Sequence, residues 1–124
     1  MIKTTICIRR KPGLDHSEFV EYWSTRHAAL IKELQPQLKI VRYVQSHALD
    51  NDISAGLRLS RNGPPMYDGI GEAWFNSMDD LRSLGTNPES VRALALLIED
   101  EKHFIDLSRS PFWVAEEREV ISAD

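Results

Sequence analysis

Cysteine is nearly absent from this chain, and with Cys7 alone an intramolecular disulfide and a thiolate zinc cluster are both excluded. A reducing compartment fits that usage. No apolar run approaches the roughly 20 residues a bilayer span requires, and the N-terminal MIKTTICIRRK is broken by charge before a signal-like block develops. The expectation is a cytoplasmic protein with no membrane partner. Basic residues are scattered through a chain of net charge -4, and the one cluster, RRK at 9–11, is too short to follow a phosphate backbone, so nucleic acid is not an expected partner. A Gly-rich phosphate loop, an internal repeat and a heptad array are all missing. The four histidines, at 16, 27, 47 and 103, contain no H-x-x-x-H pair, and no serine sits in a nucleophile elbow. Neither a metal nor a cofactor is therefore expected.

What remains is ordinary globular material: 124 residues, 42% hydrophobic and 27% charged, enough for a core without staples. Residues 1–124 are expected to form a single domain. IKTTICIR at 2–9 alternates with period two, a strand signature. LDHSEF then carries a helix start: Asp15 as N-cap, Glu18 as its capping-box partner and Leu14 stapled onto Phe19. With the helix indexed from there, Phe19, Leu30, Trp23, Leu34, His27 and Val20 fall within about one 100° arc, and Ile31 lies just beyond it. Proline at 36 is expected to end the helix.

A second strand is expected over 38–49, with Tyr43, Gln45 and His47 on one side. Residues 50–66 read as a connection containing either a short helix around ISAGLRLSR or a lid. A third strand follows over 67–75, then a short helix capped by Ser77, a longer one with Asn87 as N-cap and Pro88 at its first turn, and a fourth strand from Pro111. That order predicts an α+β fold, a ferredoxin-like protomer whose four-stranded antiparallel sheet carries helices on one face. Adjacent Trp74 and Phe75 must point to opposite faces, so one aromatic-bearing face lies beyond the helices' reach, and a second copy packed sheet to sheet is expected to cover it.

With RRKPGLDHSEFVEYWSTRHAAL at 9–30, VRYVQSH at 41–47, YDGIGEAWF at 67–75 and EDEKHFIDLSRSPFWVAEE at 99–117, the chain resembles members of the EthD family of the dimeric α+β barrel superfamily. The resemblance covers nearly the whole chain. It implies a homodimer whose sheets form a barrel, and a hydrophobic pocket in each protomer between sheet and helices. The family is named for a protein required in an alkyl-ether degradation pathway, and its superfamily includes cofactor-independent oxygenases, isomerases and cyclases acting on ring compounds. The positions the resemblance singles out are His27, Tyr43 and His47, Tyr67, Asp68 and Trp74, and Phe104 and Asp106.

From the residues alone, His27 has two readings: a buried imidazole bonded to backbone, or a polar contact facing a cavity, where a group titrating near neutrality can exchange protons. The resemblance implies the second. The expected catalytic groups are then His27, helped by Tyr43 or Tyr67, and the expected ligand contacts are Trp23, His47, Asp68, Trp74, Phe104 and Asp106. The expected function is proton-transfer chemistry without a cofactor on a hydrophobic ring or branched alkyl compound, by oxygenation, decarboxylation, dehydration or cyclisation. The alternative is a non-catalytic accessory protein that holds such a ligand for a partner oxidase.

Overall fold

The computed structural model describes residues 1–124, and its four strands form one sheet in the order β2-β3-β1-β4, every neighbour antiparallel. The strands are β1 (Ile2–Ile8), β2 (Arg42–His47), β3 (Gly69–Phe75) and β4 (Phe112–Glu116). The helices are α1 (His16–Tyr22), α2 (Ala28–Leu38), α3 (Asp52–Arg61), α4 (Met78–Ser83) and α5 (Pro88–Glu101). This is the ferredoxin-like α+β arrangement expected from the order of elements. No helix is long and apolar enough to cross a membrane.

The caps are where the sequence placed them. Asp15 accepts the Glu18 amide, and the Glu18 carboxylate in turn accepts the Asp15 amide, closing the capping box. Ser77 caps α4, and Asn87 with Pro88 opens α5.

Between α1 and α2 the helix does not stay regular. Residues Trp23–His27 form a π turn, in which the Ala28 amide reaches the Trp23 carbonyl five residues back. The Ser24 and Thr25 hydroxyls donate to the carbonyls of Val20 and Glu21 one turn back. The turn has a packing consequence. Steps of four residues overshoot a 3.6-residue turn by about 40°, so Phe19, Trp23, His27 and Ile31 would drift around a regular helix. The wider turn removes much of that drift, and all four are buried.

Several boundaries differ from expectation, among them the start of β3 at Gly69, which leaves Tyr67 and Asp68 outside the strand. The helix runs past Pro36 to Leu38 and stops at Lys39, whose φ of 56° is left-handed. An internal proline costs a helix about 3 kcal/mol, and the continuation is offset by burying Leu38, 1% exposed, within the core. The second strand consequently starts at Arg42 rather than 38. Within 50–66 the helix alternative holds: α3 is capped by Asn51 and has no buried residue.

The sheet register separates two faces. Ile2, Thr4, Ile6 and Ile8 pair with Phe75, Ala73, Gly71 and Gly69 on the helix-covered face. Lys3 and Arg42 pair with Trp74 on the other, where their cations lie 5.2 and 4.4 Å from the indole. Under the helices the core is split. Ile31, Leu34, Leu38, Ile40, Ala73, Phe75, Leu84 and Ala93 form one cluster, and Ile8, Phe19, Trp23, Phe104 and Ile105 form another.

Candidate functional site

Where the two clusters would meet, the sheet and the helices enclose a cavity of about 660 Å³. That volume lies within the range of small-molecule sites. Seventeen of its 24 lining residues are hydrophobic, drawn from both clusters, and the polar side chains among them include His27, Tyr43 and Glu101.

His27 leaves the π turn and is 4% exposed. Its Nδ1 lies 2.9 Å from Asp100 Oδ2 on α5, and Tyr22 Oη donates to Asp100 Oδ1 at 2.6 Å. A carboxylate can only accept, so Nδ1 carries the proton and Nε2 is the basic nitrogen. Nε2 has no hydrogen bond within the protein. Burial holds the His27 pKa below its ordinary value, with Asp100 opposing in part, so the neutral imidazole prevails at pH 7. Burial, reinforced by the bond to Asp100, pushes the Tyr22 phenol up to about 12. The pairing of Tyr22, Asp100 and His27 thus fixes the ring's orientation and tautomer from behind.

Tyr43 borders the cavity from β2. Gln45 Nε2 donates to its Oη at 3.2 Å and to the Trp23 carbonyl at 2.8 Å, while Gln45 Oε1 meets His47 Nε2 at 2.9 Å. One amide therefore links the strand face to the π turn. The Tyr43 hydroxyl proton makes no bond within the protein, and burial raises its pKa, so it remains a donor.

Of the residues the sequence singled out, His27, Tyr43 and Trp23 come together around the cavity. His47 packs against Trp23 in a tilted pair at 4.5 Å between centroids, and Phe104, fully buried, lies 4.9 Å from the His27 ring; neither lines the space. Tyr67 lies beneath the Arg9 guanidinium at 4.2 Å, and Asp68 binds the Arg10 amide and guanidinium. Trp74 is on the opposite face of the sheet, donating to Glu117 at 3.3 Å. Asp106 accepts the Ser108 hydroxyl at 3.0 Å. No group of three or more His, Cys, Asp or Glu side chains is placed to hold a metal ion.

Three residues at the site were not anticipated: Tyr22, Asp100 and Glu101. A signal existed for Glu101. With α5 indexed from Asn87, it continues the stripe of Leu94, Leu97 and Ile98 at i, i+3, i+4 and i+7, as a polar residue on an apolar face. Asp100 lies 73 residues from His27 and has no such local sign.

The Glu101 carboxyl makes no hydrogen bond or ion pair, and burial, then the Asp100 charge, raises its pKa to about 7. A carboxyl whose folded pKa exceeds its unfolded value adds stability below the unfolded pKa and loses it as pH climbs through the folded one. Glu101→Gln is therefore expected to match the native protein in thermal melting at pH 4 and to exceed it at pH 8. The partial burial of the site places the gain at about 1–3 kcal/mol.

The comparisons with known proteins agree with this architecture. The chain matches the EthD domain over residues 11–108. It is 32% identical over 111 residues to the conidial pigment biosynthesis dehydratase EthD of Metarhizium robertsii, covering 86% of this chain and 75% of that one. Among solved structures it resembles a dimeric protein of unknown function with a ferredoxin-like fold from Bacteroides fragilis (TM-score 0.58, 12% identity, 94% of this chain and 95% of that one). It also resembles a mutant of SnoaB, a cofactor-independent oxygenase from Streptomyces nogalater (TM-score 0.54, 14% identity, 97% and 95%). At these identities the solved structures speak for the fold alone, while the domain match and the fungal relative establish descent: the chain belongs to the EthD family.

Proposed function

We propose that the cavity binds a hydrophobic ring compound and that His27 removes a proton from it, opening an elimination of water. The observation that carries this reading is the division of the His27 ring: Nδ1 tied to Asp100, Nε2 without a protein partner, the residue itself on the cavity wall. A buried base held in one tautomer suits proton abstraction, because no reorientation is needed as charge develops. Tyr43 donates to the substrate oxygen on which that charge accumulates. The apolar lining excludes water and strengthens both interactions. The dehydratase name of the fungal relative favours elimination among the reactions such a base could start.

The test is turnover of a naphthyl β-hydroxyketone, followed by the absorbance of the conjugated enone. Because burial depresses His27, the acid limb of kcat/KM is expected below pH 6.5. A protein that binds the ketone without converting it would be an accessory binder; oxygen consumption without enone would indicate oxygenation instead.

The same reading includes a twofold dimer through the uncovered sheet face. Trp113 on β4 is 48% exposed there, Val44 and Ile70 on the same face are half-buried, and the ferredoxin-like protein from B. fragilis is dimeric. Sedimentation equilibrium at micromolar concentration is expected to give twice the chain mass, and Trp113→Glu to give the monomer. A monomeric native protein would reject the dimer.

A further inference from the structure

We infer that Glu101 is the acid partner of His27, protonating the hydroxyl that leaves as water. This rests on the elimination reading above and adds to it a second catalytic residue and a substrate class.

Two adjacent carboxylates end α5, and the fold gives them different surroundings. Asp100 turns toward the π turn and is bonded to both His27 and Tyr22. Glu101 continues the apolar stripe into the cavity, where its carboxyl makes no hydrogen bond or ion pair. An acidic side chain confined among leucines, with no cation paired to it and at the negative end of a helix, favours its protonated form. Neighbouring carboxyl groups whose environments divide them in this way are a recurring source of acid and base roles. The charged and titratable groups around Glu101 are Asp100 on its own helix, His27 on the π turn, Tyr43 on β2 and Arg82 on α4. Glu72 on β3 turns its side chain to the opposite face of the sheet, where Lys3 holds its carboxylate. Glu101 therefore stands as the carboxyl available to a ligand.

The step balances. His27 Nε2 takes the proton from the carbon between the carbonyl and the hydroxyl-bearing carbon, and that C–H pair becomes the new C=C bond. The C–O bond breaks as Glu101 transfers its proton to the departing oxygen, which leaves as water. The imidazolium then returns its proton to the Glu101 carboxylate through solvent. The net change is the loss of one water, with no oxidant or reductant. The substrate class follows: a neutral ring compound with a hydroxyl β to a carbonyl, because an ionised carboxylate or phosphate at the reacting centre would sit on an apolar wall beside the acidic Glu101, while Arg82, the one cation on the lining, is exposed to solvent.

The experiment compares the naphthyl β-hydroxyketone with its para-nitrophenyl ether, which gives the same enone but expels a group needing no proton. Glu101→Gln is expected to slow the hydroxyl substrate about 100-fold or more and the ether by less than about tenfold, since acid catalysis is typically worth 10²–10⁴. His27→Gln is expected to slow both alike. Equal losses for both substrates in Glu101→Gln, or none, would overturn the acid role while leaving His27 as base. If His27→Gln kept both rates, the elimination reading itself would fall, as it would if the native protein converted neither substrate faster than buffer. Glutamine is isosteric with glutamate, and a melting temperature for Glu101→Gln no lower than native would exclude misfolding as the cause of a loss.

Discussion

Replacing His27 with glutamine is expected to lower kcat/KM for elimination about 100- to 10,000-fold, the range attributed to a positioned base, while affinity for the intact ring compound changes little. Glutamine can occupy the same wall of the cavity and place its amide hydrogen against Asp100, so the pairing behind the ring survives. It cannot accept a proton from carbon. The decisive readout is the split between kcat and KM: a fall in kcat at constant KM marks an interaction used in the transition state, whereas a rise in KM alone would mark a binding contact. A melting curve near native separates this from a packing defect. Should turnover persist while affinity falls, His27 orients the ligand and the chemistry lies elsewhere.

The largest expected loss of stability comes from a glycine. A Cβ placed on Gly69 would sit 2.5 and 2.7 Å from two carbons of the Trp23 ring and 2.8 Å from the Ser46 carbonyl oxygen. The indole is 1% exposed and packs against Phe19 at 5.4 Å and His47 at 4.5 Å, so it can yield only toward the cavity, at the cost of those contacts. The Ser46 carbonyl belongs to the paired strand β2. Gly69→Ala is therefore expected to cost about 2–4 kcal/mol, at or beyond the upper end of overpacking penalties, and to lower the melting temperature by roughly 10 °C. Gly71→Ala supplies the comparison. Its nearest neighbour would be the Ile6 Cγ2 atom at 3.1 Å, the end of a side chain that can shift, and its cost should be much smaller. Equal effects at the two positions would mean that the β3–Trp23 contact is not the constraint. Displacing Trp23 also disturbs the π turn, so the alanine at 69 should lower turnover in the fraction that remains folded.

These two cases show why some of the site was legible in advance and some was not. His27 could be recognised because it interrupts a local pattern: the N-cap at Asp15 indexes the helix, and a polar residue on the apolar stripe is visible by counting. Tyr43 could be placed on a face by strand alternation. Glu101 obeys the same helical rule as His27 and was readable in principle. Trp74 has the right residue type beside the right neighbours, yet one step along β3 separates it from Phe75 and puts it across the sheet. Tyr67 and Asp68 are taken by Arg9 and Arg10 at the strand ends, through contacts between segments nearly 60 residues apart.

Local physics thus lay within the chain's own order: capping chemistry, two periodicities, the succession of strands and helices, and with them the ferredoxin-like fold. The π turn, the continuation through Pro36 and the Tyr22–Asp100–His27 pairing were decided only when distant segments packed. The reason is one of range. Backbone propensities act over a few residues, whereas a proton's affinity for a nitrogen depends on the carboxylate and the exclusion of water that the tertiary fold brings against it.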